Sequence, residues 1–294
     1  MDSIPWSDLS NQARWRSVRT TWADWYLERE HAIFRSSVLG LSVYHVCLCI
    51  LHCLDGGVLT HILGSIIFLL AFDTELQGSI DDRIDVLFQT LSCSYDAMGT
   101  PAALRVPYVK FVGVFEKRRS RNPTSYPELH CKAAVLKHCV GPLKLAFVSL
   151  VGCTGNTVFQ RVQQLLDSLF MFQQIVELHG NFFTGDAGKH AQEALLNAGT
   201  HHQFLNHHFG VIERRGLFHV TIKAHMVQHI GEHCQEFNPR TGATYNDEDF
   251  MGKVSAIATA SLRARGPLRV GMAVSVRYRK LLALKWARFS QGYL

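Results

Sequence analysis

Apolar residues recur along much of the chain with the spacing of an α-helix, in which positions i, i+3, i+4 and i+7 share a face. Four segments show this spacing and are predicted to be helices: 80–91, 158–178, 186–214 and 250–264. The strongest signal lies in the second, where Val162, Leu165 and Leu169 fall on one face. Gly199 predicts a break within the third. The chain is therefore expected to be dominated by helices.

The most apolar part, residues 36–72, has two interpretations. In the first it is a membrane hairpin, with spans at 37–54 and 58–72 joined by a turn at Asp55-Gly56-Gly57. The first span is barely long enough, and the second falls short of the ~20 residues that a helix needs to cross a bilayer.

In the second interpretation the same part is a buried core. Leu41 to Ile50 is rich in β-branched and aromatic residues and would form a buried strand, and a core helix would follow from Val58. His45 and His52 interrupt the apolar run, and polar groups are costly inside a bilayer. We favour the core over the membrane for this reason and because both segments are short.

The stretch 217–269 contains most of the candidate chemistry. A β-prone start at residues 218–222 leads into a predicted helix that has histidines at i, i+4 and i+8: His225, His229 and His233. Imidazoles on one helix face suit zinc, but three ligands stacked along a single helix cannot all reach one ion well. Packing or polar-face histidines are the favoured interpretation.

Acidic residues form a second candidate site. Glu248 and Asp249 precede the predicted helix at 250–264, and Asp55 precedes the one that starts at Val58. These carboxylates could bind a metal ion, since carboxylate oxygens suit hard divalent cations. Alternatively, Glu248 and Asp249 interact favourably with a helix dipole, and Asp55 forms a turn or an N-cap.

Charge is distributed unevenly along the 294 residues. The net charge is +6, yet residues 250–294 contain nine basic and no acidic residues, which leaves −3 for the rest. Such asymmetry favours a polyanionic partner, either nucleic acid or an anionic membrane, although basic tails are also ordinary solvated helix faces. The residues predicted to contact DNA phosphates are Arg263, Arg265, Arg269, Arg277, Arg279 and Lys280.

Composition limits the class of protein. Hydrophobic residues make up 47% and charged residues 18%, which is typical of a folded protein and excludes a disordered one. Eight cysteines lie along the chain without a repeating C-x-x-C pattern. This favours reduced thiols, and so an intracellular protein, over a disulfide framework. We expect its location to be nuclear.

Two motifs together resemble those of DDE transposases of the Kyakuja–Dileera–Zisupton type. Residues 51–58 (LHCLDGGV) with His61 and Gly64 are similar to their D-x-x-H…G-V…H…G element. Residues 223–225 (KAH), followed by His229 and then by Asn238-Pro239 and Glu248-Asp249, are similar to their K-x-H…E element. The resemblance depends on the order and spacing of both motifs.

The resemblance implies an α+β, helix-dominated fold, in which a partial RNase H-like core is interrupted by a large helical insertion. It divides the chain as follows: a polar, Trp-rich segment 1–35, a first core part 36–72, the insertion 73–215, a second core part 216–262 and a basic helix 263–294. The catalytic pair would be Asp55 and Glu248, with Asp249 as a further ligand and Mg²⁺ as cofactor. His52, Lys223, His225 and His229 would be accessory motif residues.

The chain departs from this family at the carboxylates. The motif aspartate lies three residues before the histidine, where this chain has Cys49, and Asp55 lies three residues after His52. Mg²⁺ requires hard oxygen ligands, so a thiol is a poor replacement. We therefore expect a transposase-derived, catalytically inactive protein that binds DNA non-specifically. The alternatives are a small membrane protein anchored through 37–72 and a helical scaffold without enzymatic activity.

Overall fold

A computed structural model describes residues 7–9, 12–13, 48–119, 126–152, 155–235 and 237–244, with isolated positions at 255, 256, 259, 276, 279, 280 and 283. The chain divides into two compact units, Met1–Ala243 and Thr244–Leu294. The boundary falls inside the predicted second core part, 216–262. The two units are described separately.

The first unit is built from helices. Its described α-helices are α1 (Leu59–Asp73), α2 (Ile80–Ala97), α3 (Tyr108–Arg119), α4 (Ala133–Val151), α5 (Thr157–Leu178), α6 (Ala187–His207) and α7 (Ile222–His233). Two wider π-helical segments occur at Leu51–Val58, directly before α1, and at His208–Ile212, directly after α6. Two short 3₁₀ turns complete the set, at Ala102–Leu104 and Pro239–Gly242.

The predicted dominance of helices is confirmed, because 74% of the described part is helical. No strand occurs among the described residues. Residues 41–47 of the predicted first strand lie outside the described residues, and Ile50 is already helical. The sheet of an RNase H-like core therefore stays a prediction.

The predicted β-prone start at residues 218–222 is wrong, because Phe218 bends the backbone. Its φ angle is +54°, in the left-handed region, and Ile222 is the first residue of α7. The bend is stabilised by hydrogen bonds: the Phe218 N–H donates to the hydroxyl of Ser65 at 2.8 Å, and its carbonyl accepts from Asn206 at 3.0 Å. Tertiary hydrogen bonds therefore override the local β propensity.

The Asp55-Gly56-Gly57 turn is also wrong. Helix runs without interruption from Leu51 to Asp73, with Asp55 inside it and only 3% exposed. The reason is packing: Leu51–Val58 lies against α7, where the sulfur of Cys53 is 4.0 Å from that of Met226. Burial on this scale outweighs the turn preference of a Gly-Gly pair.

Two helices are long and apolar enough to cross a membrane. In Leu51–Asp73, 83% of the most apolar window is buried inside the protein, and in Ala133–Val151 the share is 50%. α1 is apolar on nearly all sides, because α2, α3 and α4 surround it. A helix that is apolar on all sides is found both in the buried core of a protein and in a membrane, so this composition alone does not distinguish the two interpretations.

Candidate functional site

A cleft in the first unit has a volume of about 730 Å³. This lies within the range of about 300–1,000 Å³ that is usual for ligand sites. Four parts of the chain form it: the junction between the π-helical segment and α1, helix α3, the loop before α4, and the start of α7. Its lining residues are Gly56, Gly57, Thr60, His61, Lys110, Glu128, His130, Cys131, Lys132, Thr221, Ile222 and Lys223.

The lining of the cleft is strongly basic. Lys110 of α3, Lys132 before α4 and Lys223 of α7 all line it, and all three are exposed. Glu128 is the only carboxylate among the lining residues that the structure describes. A cleft that contains three ammonium groups and one carboxylate attracts anions.

Two helix N-termini add to this positive field. Lys132 is the N-cap residue of α4, and Thr221 is the N-cap residue of α7. Within the described residues, neither N-terminus is capped by a side-chain hydrogen bond, and neither first turn contains an acidic residue. Each helix N-terminus has a partial charge of roughly +0.5 and unsatisfied N–H groups. Both helix starts line the same cleft, so their dipoles reinforce the lysines.

Two histidines flank Glu128. The Nε2 atom of His130 is 2.8 Å from one carboxylate oxygen, a distance typical of a hydrogen bond. The Nδ1 atom of His61 is 3.6 Å from the other oxygen, which is too long for one. This Nδ1 atom is buried and has no hydrogen-bond partner in the part of the chain that the structure describes. A buried unpaired polar atom of this kind is rare and calls for an explanation.

Burial lowers the pKa of His61, because desolvation disfavours the imidazolium form. Glu128 opposes this shift, whereas His219, His130 and Lys223 add to it. Burial therefore favours the neutral form of His61, and the lysines and helix N-termini supply positive charge to the cleft.

A backbone contact positions Glu128 beside His61. The N–H of Leu129 donates to the carbonyl of Thr60 at 3.0 Å, so the loop before α4 runs directly across α1. Gly64 permits this approach: a Cβ there would lie 2.7 Å from the carbonyl oxygen of Pro127 and 2.9 Å from the Cα of Glu128. A larger residue at this position would displace the loop that contains Glu128.

An aromatic stack supports the same wall. The ring of His219 stacks on Tyr126 with 4.1 Å between centroids and contacts His61 edge-on at 5.4 Å. Burial lowers the pKa of His219 as well. Since His219 follows the Phe218 bend directly, the hydrogen bonds of Phe218 also fix this wall.

The described residues around Asp55 do not fit a Mg²⁺ site. Asp55 is buried inside the π-helical segment and does not line the cleft. Cys49, His52 and Cys53, which lie near it in sequence, have sulfur and nitrogen donors, which Mg²⁺ disfavours. No group of three or more His, Cys, Asp or Glu able to hold a metal ion occurs among the described residues.

The side chains of the accessory motif residues have different surroundings. Lys223 lines the cleft, whereas His52 is exposed on the π-helical segment. On α7 the Nε2 atoms of His225 and His229 are 3.0 Å apart, and the Nδ1 atom of His229 is 3.2 Å from a carboxylate oxygen of Glu232. These three side chains interact along one helix, which agrees with the polar-face interpretation.

The remaining predicted residues belong to the second unit. Arg279 and Lys280 are helical and exposed, as phosphate contacts require. The following lie outside the described residues: Glu248, Asp249, Arg263, Arg265, Arg269 and Arg277.

The sequence prediction missed most of the cleft. Lys110, Glu128, His130 and Lys132 did not stand out, because single charged residues between predicted helices are common. A usable signal was Lys132 directly before α4, because the first turn of that helix contains no acidic residue.

No protein-family model, no curated protein and no solved structure matches this chain. The resemblance to transposases therefore stays a prediction that depends on the two motifs.

Proposed function

We propose that this chain is a transposase-derived protein that binds DNA through its phosphates without cleaving it. The cleft between α1, α3, α4 and α7 is the proposed contact in the first unit, and the basic segment 263–294 is the proposed contact in the second. The origin is supported by the motif resemblance alone. The binding is supported by charge and geometry.

The lysine content of the cleft is the main support for this proposal. Lys110, Lys132 and Lys223 are far apart in sequence, yet they line one cavity that contains a single described carboxylate. Other described lysines have acidic partners: Lys137 is 2.8 Å from Glu177, and Lys144 is 2.8 Å from Asp167. Lysines gathered at one cleft are suited to a ligand that has several negative charges.

Fluorescence anisotropy with a labelled duplex, over a salt series from about 50 to 200 mM, tests the proposal. We expect roughly micromolar affinity at low salt that weakens steeply as salt rises, since phosphate contacts release counterions. Each lysine that contacts a phosphate contributes about 0.9 to the slope of log affinity against log salt. Replacing all three of Lys110, Lys132 and Lys223 by glutamine should therefore make the slope shallower by up to about 2.7.

The matched control removes the same charge elsewhere. Lys137, Lys144 and Lys189 are ion-paired with acidic residues and do not line the cleft. Replacing these three with glutamine should leave the salt slope close to that of the wild type. Equal slopes for the two triple variants would show that the cleft does not contact the phosphates, and no binding at low salt would refute the proposed function itself.

A further inference from the structure

The cleft is better matched to a phosphate with two negative charges than to a phosphodiester with one. Three lysines and two helix N-termini surround a single described carboxylate. A phosphodiester in a DNA backbone has one negative charge, whereas a phosphomonoester has ≈ −1.5 to −2 at pH 7. At a single binding position, these positive groups therefore attract a doubly charged phosphate more strongly than a singly charged one.

We propose that the cleft is a binding site for a phosphomonoester group, held between the N-termini of α4 and α7 by Lys110, Lys132 and Lys223. N–H groups at both helix N-termini would donate to its oxygens, as is usual for phosphates at such sites, apart from the N–H of Ala224, which donates to the Thr221 carbonyl at 2.9 Å. Lysine ammonium groups would supply the counter-charge.

His61 lines the same cleft, and its Nδ1 atom lies 3.6 Å from a carboxylate oxygen of Glu128. Its buried Nδ1 atom has no hydrogen-bond partner among the described residues, although the residue lines the cavity. A buried polar atom without a hydrogen-bond partner is usually completed by a ligand or by water. A phosphate group that enters from the lysine side would bring polar atoms to this wall.

The inference rests on the proposed function because DNA is the first possible source of the phosphomonoester, as the 5′-terminal phosphate of a strand. A free mononucleotide has the same phosphomonoester and is the second possible source. Two pairs of probes distinguish them: a single strand with a 5′-phosphate or a 5′-hydroxyl, and adenosine 5′-monophosphate or adenosine.

Affinities for the four probes are measured by calorimetry or anisotropy on the full chain. We expect the 5′-phosphorylated strand to bind at least about tenfold more tightly than the hydroxylated strand, as a small set of charge-assisted hydrogen bonds predicts. If adenosine 5′-monophosphate binds about as tightly as the 5′-phosphorylated strand and adenosine does not bind, the site recognises a nucleotide. If only the phosphorylated strand binds tightly, the site recognises the end of a strand.

A capping variant tests the geometry without loss of a lysine. Thr221→Asp places a carboxylate at the uncapped N-terminus of α7, where it should cap the helix and leave the thermal midpoint unchanged or raised. The same carboxylate occupies the position proposed for the phosphate, so the preference for 5′-phosphate should fall about tenfold. Asn156→Asp is the control: it adds the same charge at the N-terminus of α5, whose cap residue already accepts from the Val158 N–H, outside the cleft.

The outcomes separate the two proposals. Equal binding of phosphorylated and hydroxylated strands, with no binding of the mononucleotide, overturns the phosphomonoester site and leaves DNA binding intact. Mononucleotide binding without binding of either strand overturns DNA binding and leaves the site intact. If Thr221→Asp keeps the full preference for 5′-phosphate, the site is also overturned. The new carboxylate would block the proposed position, so the phosphate would have to bind elsewhere.

Discussion

The side chain of Lys223 lies directly against the backbone of Gly57, and its Cδ atom is 2.7 Å from the position that a Cβ on Gly57 would occupy. This contact joins the two motif segments, which are more than 160 residues apart in sequence. They meet as the π-helical segment and α7, and both line the basic cleft. The contact between these two helical segments is therefore part of the framework of the cleft.

The first prediction concerns the Phe218 bend. Ser65→Ala removes the buried hydroxyl that accepts the Phe218 N–H at 2.8 Å. A buried donor without a partner costs about 1–3 kcal/mol, so the free energy of unfolding should fall by that amount. Chemical denaturation measures the change.

Ser94→Ala is the control for this prediction. Ser94 is also buried, but its hydroxyl only donates to the carbonyl of Thr90 within α2. Its removal leaves no N–H without a partner, so the change should be much smaller. Equal losses for the two variants would show that the Ser65 hydrogen bond does not stabilise the bend.

The second prediction concerns the approach of the loop before α4 to α1. Gly64→Ala places a methyl group 2.7 Å from the carbonyl oxygen of Pro127, and this backbone cannot move without displacing Glu128. We expect a loss of about 1–3 kcal/mol in stability, typical of overpacking. Thermal or chemical denaturation measures it.

Gly113→Ala in α3 is the matched control, because nothing lies within 4 Å of a Cβ at that position. Alanine is the better helix former by roughly 0.5–1 kcal/mol, so this variant should be stabilised. A Gly64→Ala protein as stable as the wild type would contradict the close approach.

The third prediction is a pH dependence that arises from His202. This residue is buried, donates from Nε2 to the Phe218 carbonyl at 3.1 Å, and has its pKa lowered to about 4, chiefly by burial. Between pH 6.5 and 4 the unfolded chain binds a proton that the folded chain does not. Stability is therefore full above about pH 6.5 and decreases by about 3 kcal/mol as the pH falls to 4.

His202→Gln isolates this contribution, since the amide can still donate to the Phe218 carbonyl but does not titrate. Chemical denaturation from pH 7.5 to 4.5 should give a shallower loss of stability for the variant than for the wild type. Part of the slope should remain, because burial also lowers the pKa values of His61 and His219. Identical slopes would show that His202 does not titrate as described.

The fourth prediction concerns strand cleavage. In the proposed resemblance to transposases, Cys49 stands where their motif has a carboxylate, so we expect no nicking of supercoiled DNA with Mg²⁺ or Mn²⁺. Gel electrophoresis of the plasmid measures this directly. Nicking that is lost in Glu248→Ala would show instead that a catalytic site is retained.

The helices could be predicted where one face is apolar and the other polar. The predicted helix at 158–178 matches α5 within one residue, because Val162, Leu165 and Leu169 face the core. The break at Gly199 is wrong: α6 continues through it, and the missing side chain leaves space for Gln228 of α7. A glycine that permits close packing and a glycine that ends a helix look alike in sequence.

The cleft could not be predicted in the same way. Its lysines come from α3, the start of α4 and α7, and each is an ordinary exposed residue in its own segment. Their convergence follows from tertiary contacts, such as the Leu129 N–H on the Thr60 carbonyl, which have no periodic signature. Of the three lysines, only Lys223 belongs to a motif that the sequence analysis identifies.

Lysine labelling in the presence and absence of DNA tests the central claim most directly. An amine-reactive ester is applied to the full chain, and the labelling of each lysine is read by mass spectrometry. Bound DNA should protect Lys110, Lys132 and Lys223 several-fold, while Lys189, whose side chain is 65% exposed, reacts as before. Unchanged labelling of the three cleft lysines while the DNA is bound would contradict the claim that this cleft holds the phosphates.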